Sequence, residues 1–444
     1  MAVPPPPRDS VGLGDGNGNG SGLGLGIGNG IGNGIGPRRE LDPGRRRVSD
    51  WSSMLKRLPG TVIALGAVSQ LTDLSSEMIY PLLPLFLTTV LGAGALSLGV
   101  IEGVAESTAA MVRVVSGVWS DRVHRRTPFV LGGYAVSGLA RPFIALAGAW
   151  PVVLGLRFVD RLGKGARSAP RDAIIADVVA AERRGEAFGF HRSMDHAGAV
   201  LGPLVAAVLL HLAGLDLRQV FLLTAIPAAA VVVVILAGVR EPARPRAAAD
   251  RPGERAGWNR LGGSYRRLLV AVAVFTLGNS SDAFLLLRLS TAGVSATWVA
   301  VLWSCHHVVK MVATYVGGRL SDRRGRRSLM IAGWAVYAAI YLGFAVTESI
   351  AGLVALFLAY GLYFGLTEPV EKALVTDLAP PDARGAAFGF FHGTVGLAAL
   401  PASVLFGLLW KLFGVAAAFA TGAALAAVAT LVLLTVGQRR QVAE

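Results

Sequence analysis

Apolar residues run along this chain in long windows, interrupted by short polar links, from residue 60 to residue 436. Clear examples are residues 127–150, 219–239, 327–346 and 413–436. An α-helix of about twenty apolar residues is long enough to cross the roughly 30 Å of hydrocarbon in a bilayer. The pattern therefore predicts an all-α integral membrane protein that crosses the bilayer many times.

Twelve windows of this kind can be distinguished, some of them containing polar residues. Numbered one to twelve in chain order, the predicted helices are 60–89, 97–118, 127–148, 151–171, 187–211, 218–239, 267–289, 293–316, 327–347, 351–374, 387–410 and 413–436.

Composition agrees with a membrane protein. Only 16% of the residues are charged and the mean hydropathy is +0.56, whereas about a quarter of the residues are charged in a typical soluble protein. The net charge of +14 is concentrated in every second link. The basic links are 121–126, 240–267, 322–327 and 438–440, and the nearly Lys- and Arg-free ones are 91–97, 148–151 and 347–350.

This alternation follows the positive-inside rule. It predicts a protein of the cell inner membrane with both termini and the 240–266 loop in the cytoplasm, and it excludes nucleic acid as a partner.

The first 50 residues, with their "PPPP" and "LGLGIGNGIGNGIG" runs, are predicted to be a disordered cytoplasmic tail. Residues 51–58 are predicted to form a short interfacial helix, and residues 438–444 a second cytoplasmic tail. Cys305 is the only cysteine, so no intramolecular disulfide can form.

The chain also repeats itself. "GVWSDRVHRR" (117–126) returns as "GRLSDRRGRR" (318–327), and "RGEAFGF" (184–190) as "RGAAFGF" (384–390), each roughly 200 residues later. A third echo matches "SSE" to "SSD" at a similar offset. The repeat predicts two six-helix bundles, 51–239 and 267–437, joined by the linker 240–266. Two parallel six-helix halves are a transporter architecture.

Three motifs resemble those of the major facilitator superfamily of secondary transporters. They are the doubled loop Gly-x-x-x-Asp-Arg-x-x-Arg-Arg, the helix-four sequence "RFVDRLGKG" (157–165), and "GAVLGP" (198–203) in helix five. The last departs from the superfamily's antiporter motif because "LVAA" follows it. The motif residues are Gly117, Asp121, Arg122, Arg125 and Arg126; Gly318, Asp322, Arg323, Arg326 and Arg327; Arg157, Gly163 and Gly165; and Gly198, Gly202 and Pro203.

The resemblance covers residues 52–437 and implies twelve helices in two pseudo-symmetric bundles that work by alternating access. It also implies that each loop aspartate contacts the start of a helix in the other half and closes the cytoplasmic face. Asp121 would then meet the "RGAAFG" start of helix eleven, and Asp322 the "RGEAFG" start of helix five. The alternative is that these Arg-rich loops only fix the orientation of the helices in the membrane.

Helix four carries an unusual density of charge. On a helix its charged residues all fall within an arc of about 140°. Because lipid exposure of a charge costs several kcal/mol, this arc must face a water-filled cavity or partner charges. The residues are Arg157, Asp160, Arg161, Lys164, Arg167, Arg171 and Asp172.

Similar polar stripes occur on predicted helices one, seven and ten, whereas helix three shows only Arg141 in its apolar run. In the superfamily that this chain resembles, helices one, four, seven and ten line the central cavity. The predicted cavity residues are Asp73, Glu77, Tyr80, Asp160, Arg161, Lys164, Arg167, Asn279, Asp282, Glu368 and Glu371.

Two interpretations of these charges are open. They could form a structural ion-pair network, or they could bind substrate and protons. A carboxylate in a low-dielectric cavity is harder to ionise and can exchange a proton near neutral pH. Glu77 and Asp282, at matching positions of the repeat, are the best proton candidates, while Arg161 and Lys164 favour an anionic or zwitterionic substrate.

A group of His and Met residues on predicted helices five and eight gives a copper site as an alternative, since these side chains suit copper. It comprises His191, Met194, His196, His307 and Met311. His307 and Met311 resemble the His-x-x-x-Met motif of copper-transporting members of the superfamily. We expect no metal there, because the Met-x-x-x-Met motif that accompanies it in those members is missing from helix seven. Lys310 could instead pair with Asp195 across the two halves.

The sequence thus predicts a secondary transporter, proton-coupled, that exports a small organic molecule. Its partners would be that substrate, protons or another coupling ion, and the lipid bilayer. No phosphate-binding loop or catalytic spacing occurs, so we expect neither an enzyme nor a cofactor. The alternatives are uptake of an organic anion or zwitterion, copper transport, and a non-transporting receptor or scaffold whose cavity charges would all be satisfied.

Overall fold

The structure, a computed structural model, describes residues 58–122, 125–180, 184–241, 261–379 and 384–437. The predicted tail 1–50, the interfacial segment 51–57, most of the linker and the C-terminal tail lie outside these ranges. Within them all the regular secondary structure is helical, and the helices follow the order that the apolar windows predict.

Twelve helices can be numbered in chain order, two of them in two segments. They are α1 Gly60–Ile79, α2 Ala95–Arg122, α3 Thr127–Phe143, α4 Trp150–Val178, α5 Arg184–His211, α6 Leu217–Leu223 with Ala225–Gly238, α7 Gly263–Gly278 with Ala283–Thr291, α8 Ala296–Arg324, α9 Arg326–Val346, α10 Ile350–Leu378, and α11 and α12 within Arg384–Leu434. Gly414, with φ 86° and ψ 175°, separates α11 from α12.

Eight helical stretches of the described chain are long and apolar enough to span a membrane, and the last of them, Ala387–Leu434, covers both α11 and α12. The helices that do not meet these requirements of length and hydropathy are α1, α4 and α8. Each contains polar side chains within its length, such as Asp73 in α1, Arg161 in α4 and Lys310 in α8. The least apolar helices are therefore those that carry the charges.

Three helices predicted as continuous are interrupted in the structure: α1, α6, which is divided at Thr224, and α7. α1 ends at Ile79, and the chain continues to Val90 through short irregular helical turns, because Pro81 and Pro84 cannot donate backbone hydrogen bonds. α7 is broken between Gly278 and Ala283, where a continuous helix was predicted. The hydroxyl of Tyr337 donates to the carbonyl of Gly278 over 2.9 Å, which satisfies a backbone group that the break exposes.

Helices α1–α6 and α7–α12 form the two six-helix bundles. α2 packs against α11, and α5 against α8, so these pairs join one bundle to the other. Small residues allow the close approach. A Cβ atom placed on Gly103 of α2 would lie 3.0 Å from the Cα atom of Leu400 in α11.

One kind of ion pair occurs in both halves. Arg126, just before α3, donates from Nη1 to Asp177 near the end of α4 over 2.8 Å. Arg326, at the start of α9, pairs in the same way with Asp377 of α10. Arg126 and Arg326 both belong to the doubled loop motif, in which they hold neighbouring positions, because Arg126 aligns with Arg327. Each half therefore uses an arginine of this loop to tie neighbouring helix ends together. We call the end of the molecule where these pairs lie the Arg-rich end.

Candidate substrate cavity

A cavity of about 710 Å³ lies between the two bundles and is lined by side chains from both. Ser280 and Ser403, at one end, are 4% and 5% exposed. Arg113 and His392, at the other end, are exposed to solvent. Because α2 runs towards the Arg-rich end and α11 begins there, the cavity opens at the Arg-rich end and is closed at the opposite end.

Eight of the eleven predicted cavity residues line this space: Asp73, Glu77, Tyr80, Arg161, Lys164, Arg167, Asn279 and Asp282. The other three do not. Asp160 is buried behind the wall, at 1% exposure, because it faces α3 and not the cavity. Glu368 and Glu371 lie beyond Phe364, the α10 residue nearest to them that lines the cavity, by about 6 and 10 Å along the helix axis.

The cavity carboxylates fall into two groups. Glu106 pairs with Arg161 over 3.3 Å. Glu77 accepts a hydrogen bond from Nε1 of Trp303 over 2.7 Å, and Asp282 accepts one from the hydroxyl of Tyr360 over 2.9 Å. Both of these donors are neutral. Asp73 lines the cavity without an ion pair to any described residue. Three cavity carboxylates therefore lack a cationic partner in the described part of the chain.

The basic side of the cavity comes from α2, α3, α4 and α8. The guanidinium of Arg167 lies 4.2 Å from the ring centroid of Tyr134, in cation–π contact. Lys310 Nζ lies 3.7 Å from the ring centroid of Phe364. Neither Lys164 nor Lys310 forms an ion pair with a described residue, although both line the cavity.

A chain of buried ion pairs stands behind the cavity wall. Arg157 Nη2 donates to Glu102 over 2.7 Å, and its Nη1 lies 3.5 Å from Asp160. Asp160 also accepts from Nε of Arg141 over 3.1 Å and from the hydroxyl of Ser137. Arg141 and Arg157 thus share one buried carboxylate. This arrangement fits a structural role for these residues, because every charge in it is paired.

The closed end of the cavity is held by polar contacts between the bundles. Besides the bond from Trp303 to Glu77, the hydroxyl of Tyr80 lies 3.2 Å from Oγ of Ser281, and Ser281 donates to Glu102 over 3.2 Å. These contacts join α1 and α2 to α7 and α8. A state open at this end would have to break them.

The glycines of the helix-four and helix-five motifs lie at helix crossings. Gly163 packs against Gly133 and Ser137 of α3, and Gly165 against Val112 of α2. Gly198 and Gly202 of α5 pack on α1, directly behind Asp73 and Glu77. Pro203 lies inside α5. The α5 glycines therefore determine how closely α5 approaches the acidic face of α1.

We expect Gly202→Val to displace α1 and lower stability by about 1–3 kcal/mol, the typical cost of overpacking. A Cβ atom at Gly202 would lie 2.7 Å from the carbonyl oxygen of Leu74 and 3.0 Å from Cβ of Glu77. Thermal unfolding in detergent measures the loss. Gly189→Val is the matched control, because nothing lies within 4 Å of its Cβ position on the same helix; an equal loss in both variants would contradict the prediction.

The predicted gating contacts of Asp121 and Asp322 fall outside the side chains that the structure describes, as do those of Arg122, Arg323 and the starts of α5 and α11. Gly117 and Gly318 lie within α2 and α8. Arg125 is exposed, and Arg327 donates to the carbonyl of Leu434.

The His and Met residues considered for copper have other partners. His191 is 2% exposed and lies 3.6 Å from Asp195, and His307 bonds through Nδ1 to the carbonyl of Trp303 over 3.1 Å. His196 does not line the cavity. Met194 packs beside Gly66, and Met311 is 43% exposed. Across the described residues, no group of three His, Cys, Asp or Glu side chains could hold a metal ion.

The predicted pairing of Lys310 with Asp195 is wrong. Asp195 instead accepts a hydrogen bond from Ser69, and Lys310 lies over Phe364. Glu106 and Arg113 of α2 and Trp303 of α8 also line the cavity, although none of them belongs to the predicted polar stripes. Glu102 and Glu106, one helical turn apart in an apolar helix, were the signal that could have identified α2 as a cavity helix.

Comparison with known proteins agrees with this architecture. The family model described as Major Facilitator Superfamily matches residues 65–305 and 268–443. An uncharacterized MFS-type transporter of Methanocaldococcus jannaschii is 33% identical over 385 residues, which cover 85% of this chain and 95% of the relative. Multidrug resistance protein MdtH of Cronobacter sakazakii is 25% identical over 346 residues, 74% of this chain and 83% of that protein.

Among solved structures, a bacterial homolog of the human lysosomal transporter Spinster, in an inward-facing and unoccupied conformation, has the same fold. Its TM-score is 0.66 at 17% identity, covering 85% of this chain and 94% of that chain. The family is made of transporters and not of enzymes. The chain therefore belongs to the Major Facilitator Superfamily and is a multi-pass membrane transporter of small molecules.

Proposed function

We propose that the protein is a proton-coupled secondary transporter that exports a small organic molecule by alternating access. It would lie in the cell inner membrane with both termini in the cytoplasm, as the distribution of basic links indicates. The cavity between the two bundles is the substrate site, and the cavity carboxylates carry the coupling protons.

One observation carries the proposal: Asp73, Glu77 and Asp282 line the cavity without a cationic partner among the described residues. Asp160 and Glu102 differ, because arginines hold them in the charged form. Protonating a carboxylate that forms no ion pair leaves no cation without its partner. Such groups can therefore take up and release protons during a transport cycle.

Glu77 also connects protonation to the movement of the bundles. Its carboxylate in α1 accepts a hydrogen bond from Trp303 of α8 at the closed end of the cavity. A hydrogen bond to a charged acceptor is worth about twice one to a neutral acceptor. Protonation of Glu77 would therefore weaken this contact and favour opening of the closed end.

The favoured direction rests on similarity to a multidrug resistance protein. Multidrug resistance protein MdtH is 25% identical over 74% of this chain, and the Gly-x-x-x-Gly-Pro sequence in α5 resembles an antiporter motif. Unpaired charges in the cavity also argue against a non-transporting scaffold. Uptake is the competing direction, because the lysines of the cavity would accept an anion whichever way it is carried.

The test is transport by the full-length protein in proteoliposomes under a pH gradient, with ethidium and naphthoate as probes. A gradient of about one pH unit can drive about tenfold accumulation per coupled proton, equivalent to about 1.4 kcal/mol. We expect one probe to accumulate, and a protonophore to abolish the accumulation. Accumulation that persists with the protonophore would overturn proton coupling.

A further inference from the structure

We infer that the substrate is an amphipathic organic anion whose acidic group binds between Lys164 of α4 and Lys310 of α8. Its apolar ring would pack on Phe364 of α10 and against Val395 and Ala399 of α11. This inference rests on the proposed function, because it names the substrate class for the same cavity. The inference requires that one cationic side chain from each bundle faces the cavity, and that both lie at the same distance from its closed end.

The two lysines lie at the same level. α4 and α8 both begin at the closed end of the molecule, at Trp150 and Ala296. At 1.5 Å per residue, Lys164 lies about 21 Å along α4 and Lys310 about 21 Å along α8. Phe364 lies about 21 Å along α10 by the same measure. All three line the cavity, so they form a ring of residues at one depth.

The other cations of the cavity wall are paired or lie nearer its mouth. Arg161 pairs with Glu106 and Arg141 with Asp160. Arg167 has no carboxylate partner among the described residues, but it lies one helical turn, about 5 Å, nearer the mouth than Lys164. Arg113 lies near the open end and is exposed. Lys164 and Lys310 thus remain as the unpaired ammonium groups at mid-depth. Because like charges that face one cavity repel each other, an anion between them would relieve that repulsion.

The carboxylates that face the same cavity are compatible with this assignment. Glu77 and Asp282 already accept hydrogen bonds from Trp303 and Tyr360, so each has a partner when no ligand is present. Asp73, on α1, is the unpartnered carboxylate. When these groups carry coupling protons, the net charge of the cavity is positive, which favours an anionic ligand.

Part of the remaining cavity surface is apolar and aromatic. Phe364 of α10, Val395 and Ala399 of α11, and Ala110 of α2 face the cavity, and Phe388 of α11 does so nearer its mouth. The ammonium of Lys310 lies over the Phe364 ring, so one residue pair offers a charge and an aromatic platform side by side. A planar aromatic carboxylate matches both features, whereas a sugar or a small inorganic ion would leave the rings unused.

Three probes of the same size and different charge test the inference: naphthoate, naphthamide and naphthylmethylamine. Each is titrated into the purified full-length protein in detergent, and Kd is measured by calorimetry. We expect naphthoate to bind tightest. We expect Lys164→Gln and Lys310→Gln each to weaken naphthoate binding by about tenfold, the typical effect of losing a hydrogen bond to a charged group, and Lys310→Arg to retain it.

Lys411→Gln is the matched control, because Lys411 is exposed and does not line the cavity; its Kd for naphthoate should equal that of the unmodified protein. The unfolding temperature of each variant is measured without ligand, and a variant that fails to fold is left out of the comparison. Tighter binding of the amine than of naphthoate, no binding of naphthoate, or unchanged Kd in both lysine variants would overturn the inference. Since the titration uses no gradient, its failure leaves the proton-coupling result intact, and the reverse also holds.

Discussion

Replacing Glu77 by Gln is expected to abolish the response of transport to a pH gradient while passive exchange of substrate continues. Gln has the shape of a protonated Glu, and its amide oxygen can still accept the hydrogen bond from Trp303. The variant would therefore keep the contact at the closed end but could not release a proton. Accumulation driven by about one pH unit should fall from about tenfold to none, measured in proteoliposomes with the probe that the unmodified protein accumulates.

Glu368→Gln serves as the matched control. Glu368 is a half-buried carboxylate on α10 that lies outside the cavity lining, so its replacement should leave the pH response unchanged. Trp303→Phe removes the donor to Glu77 and should alter the rate of exchange without removing the coupling. Retained coupling in Glu77→Gln together with its loss in Asp282→Asn would transfer the proton-carrying role to Asp282.

The helices could be predicted from the sequence because a bilayer imposes one simple rule on each helix that crosses it. A helix must be long and apolar, and its charges must face away from lipid. The rule failed at α7, which was predicted as continuous but breaks after Gly278. The hydroxyl that satisfies Gly278 comes from Tyr337 of α9, and no local pattern in α7 reveals that partner.

The polar stripes located the cavity on α1, α4 and α7 but gave α10 the wrong chemistry. α10 contributes Tyr360 and Phe364 to the wall, and its two predicted acids lie beyond it. On α4, Asp160 and Arg161 are adjacent in sequence, yet Asp160 is buried against α3 and Arg161 lines the cavity. Helical periodicity separates neighbouring residues by only 100°, so it cannot tell which of two adjacent charges faces a partner helix.

Helices α2 and α8 were missed for a related reason. Each places only a few charges on the face that lines the cavity, so the signal is short: one turn from Glu102 to Glu106 in α2, and Lys310 alone in α8. A single charge in a membrane helix is already informative because of its cost in lipid. Its partner, however, lies on another helix, as Arg161 does for Glu106, and only the fold reveals which one.

The second large effect concerns the buried ion pairs. Asp160→Asn should destabilise the protein by about 3–5 kcal/mol, the usual cost of removing one partner of a buried pair. Asp160 is 1% exposed, and it is bonded to Arg141 and lies close to Arg157. An asparagine removes the negative charge that Arg141 and Arg157 share. Both guanidinium groups would then be buried with less opposite charge, at a place that water does not reach. Unfolding of the full-length protein in detergent, followed by intrinsic fluorescence, measures the change.

Asp172 provides the comparison on the same helix. Its side chain is 46% exposed, and it pairs with Arg171 over 2.8 Å. An exposed pair is worth only about 0–1 kcal/mol, because water screens it and the side chains lose freedom in forming it. Asp172→Asn should therefore leave stability nearly unchanged. If both variants lost the same stability, the Asp160 network would contribute no more than a surface pair, and its arginines would be free to act as substrate ligands in place of Lys164 and Lys310.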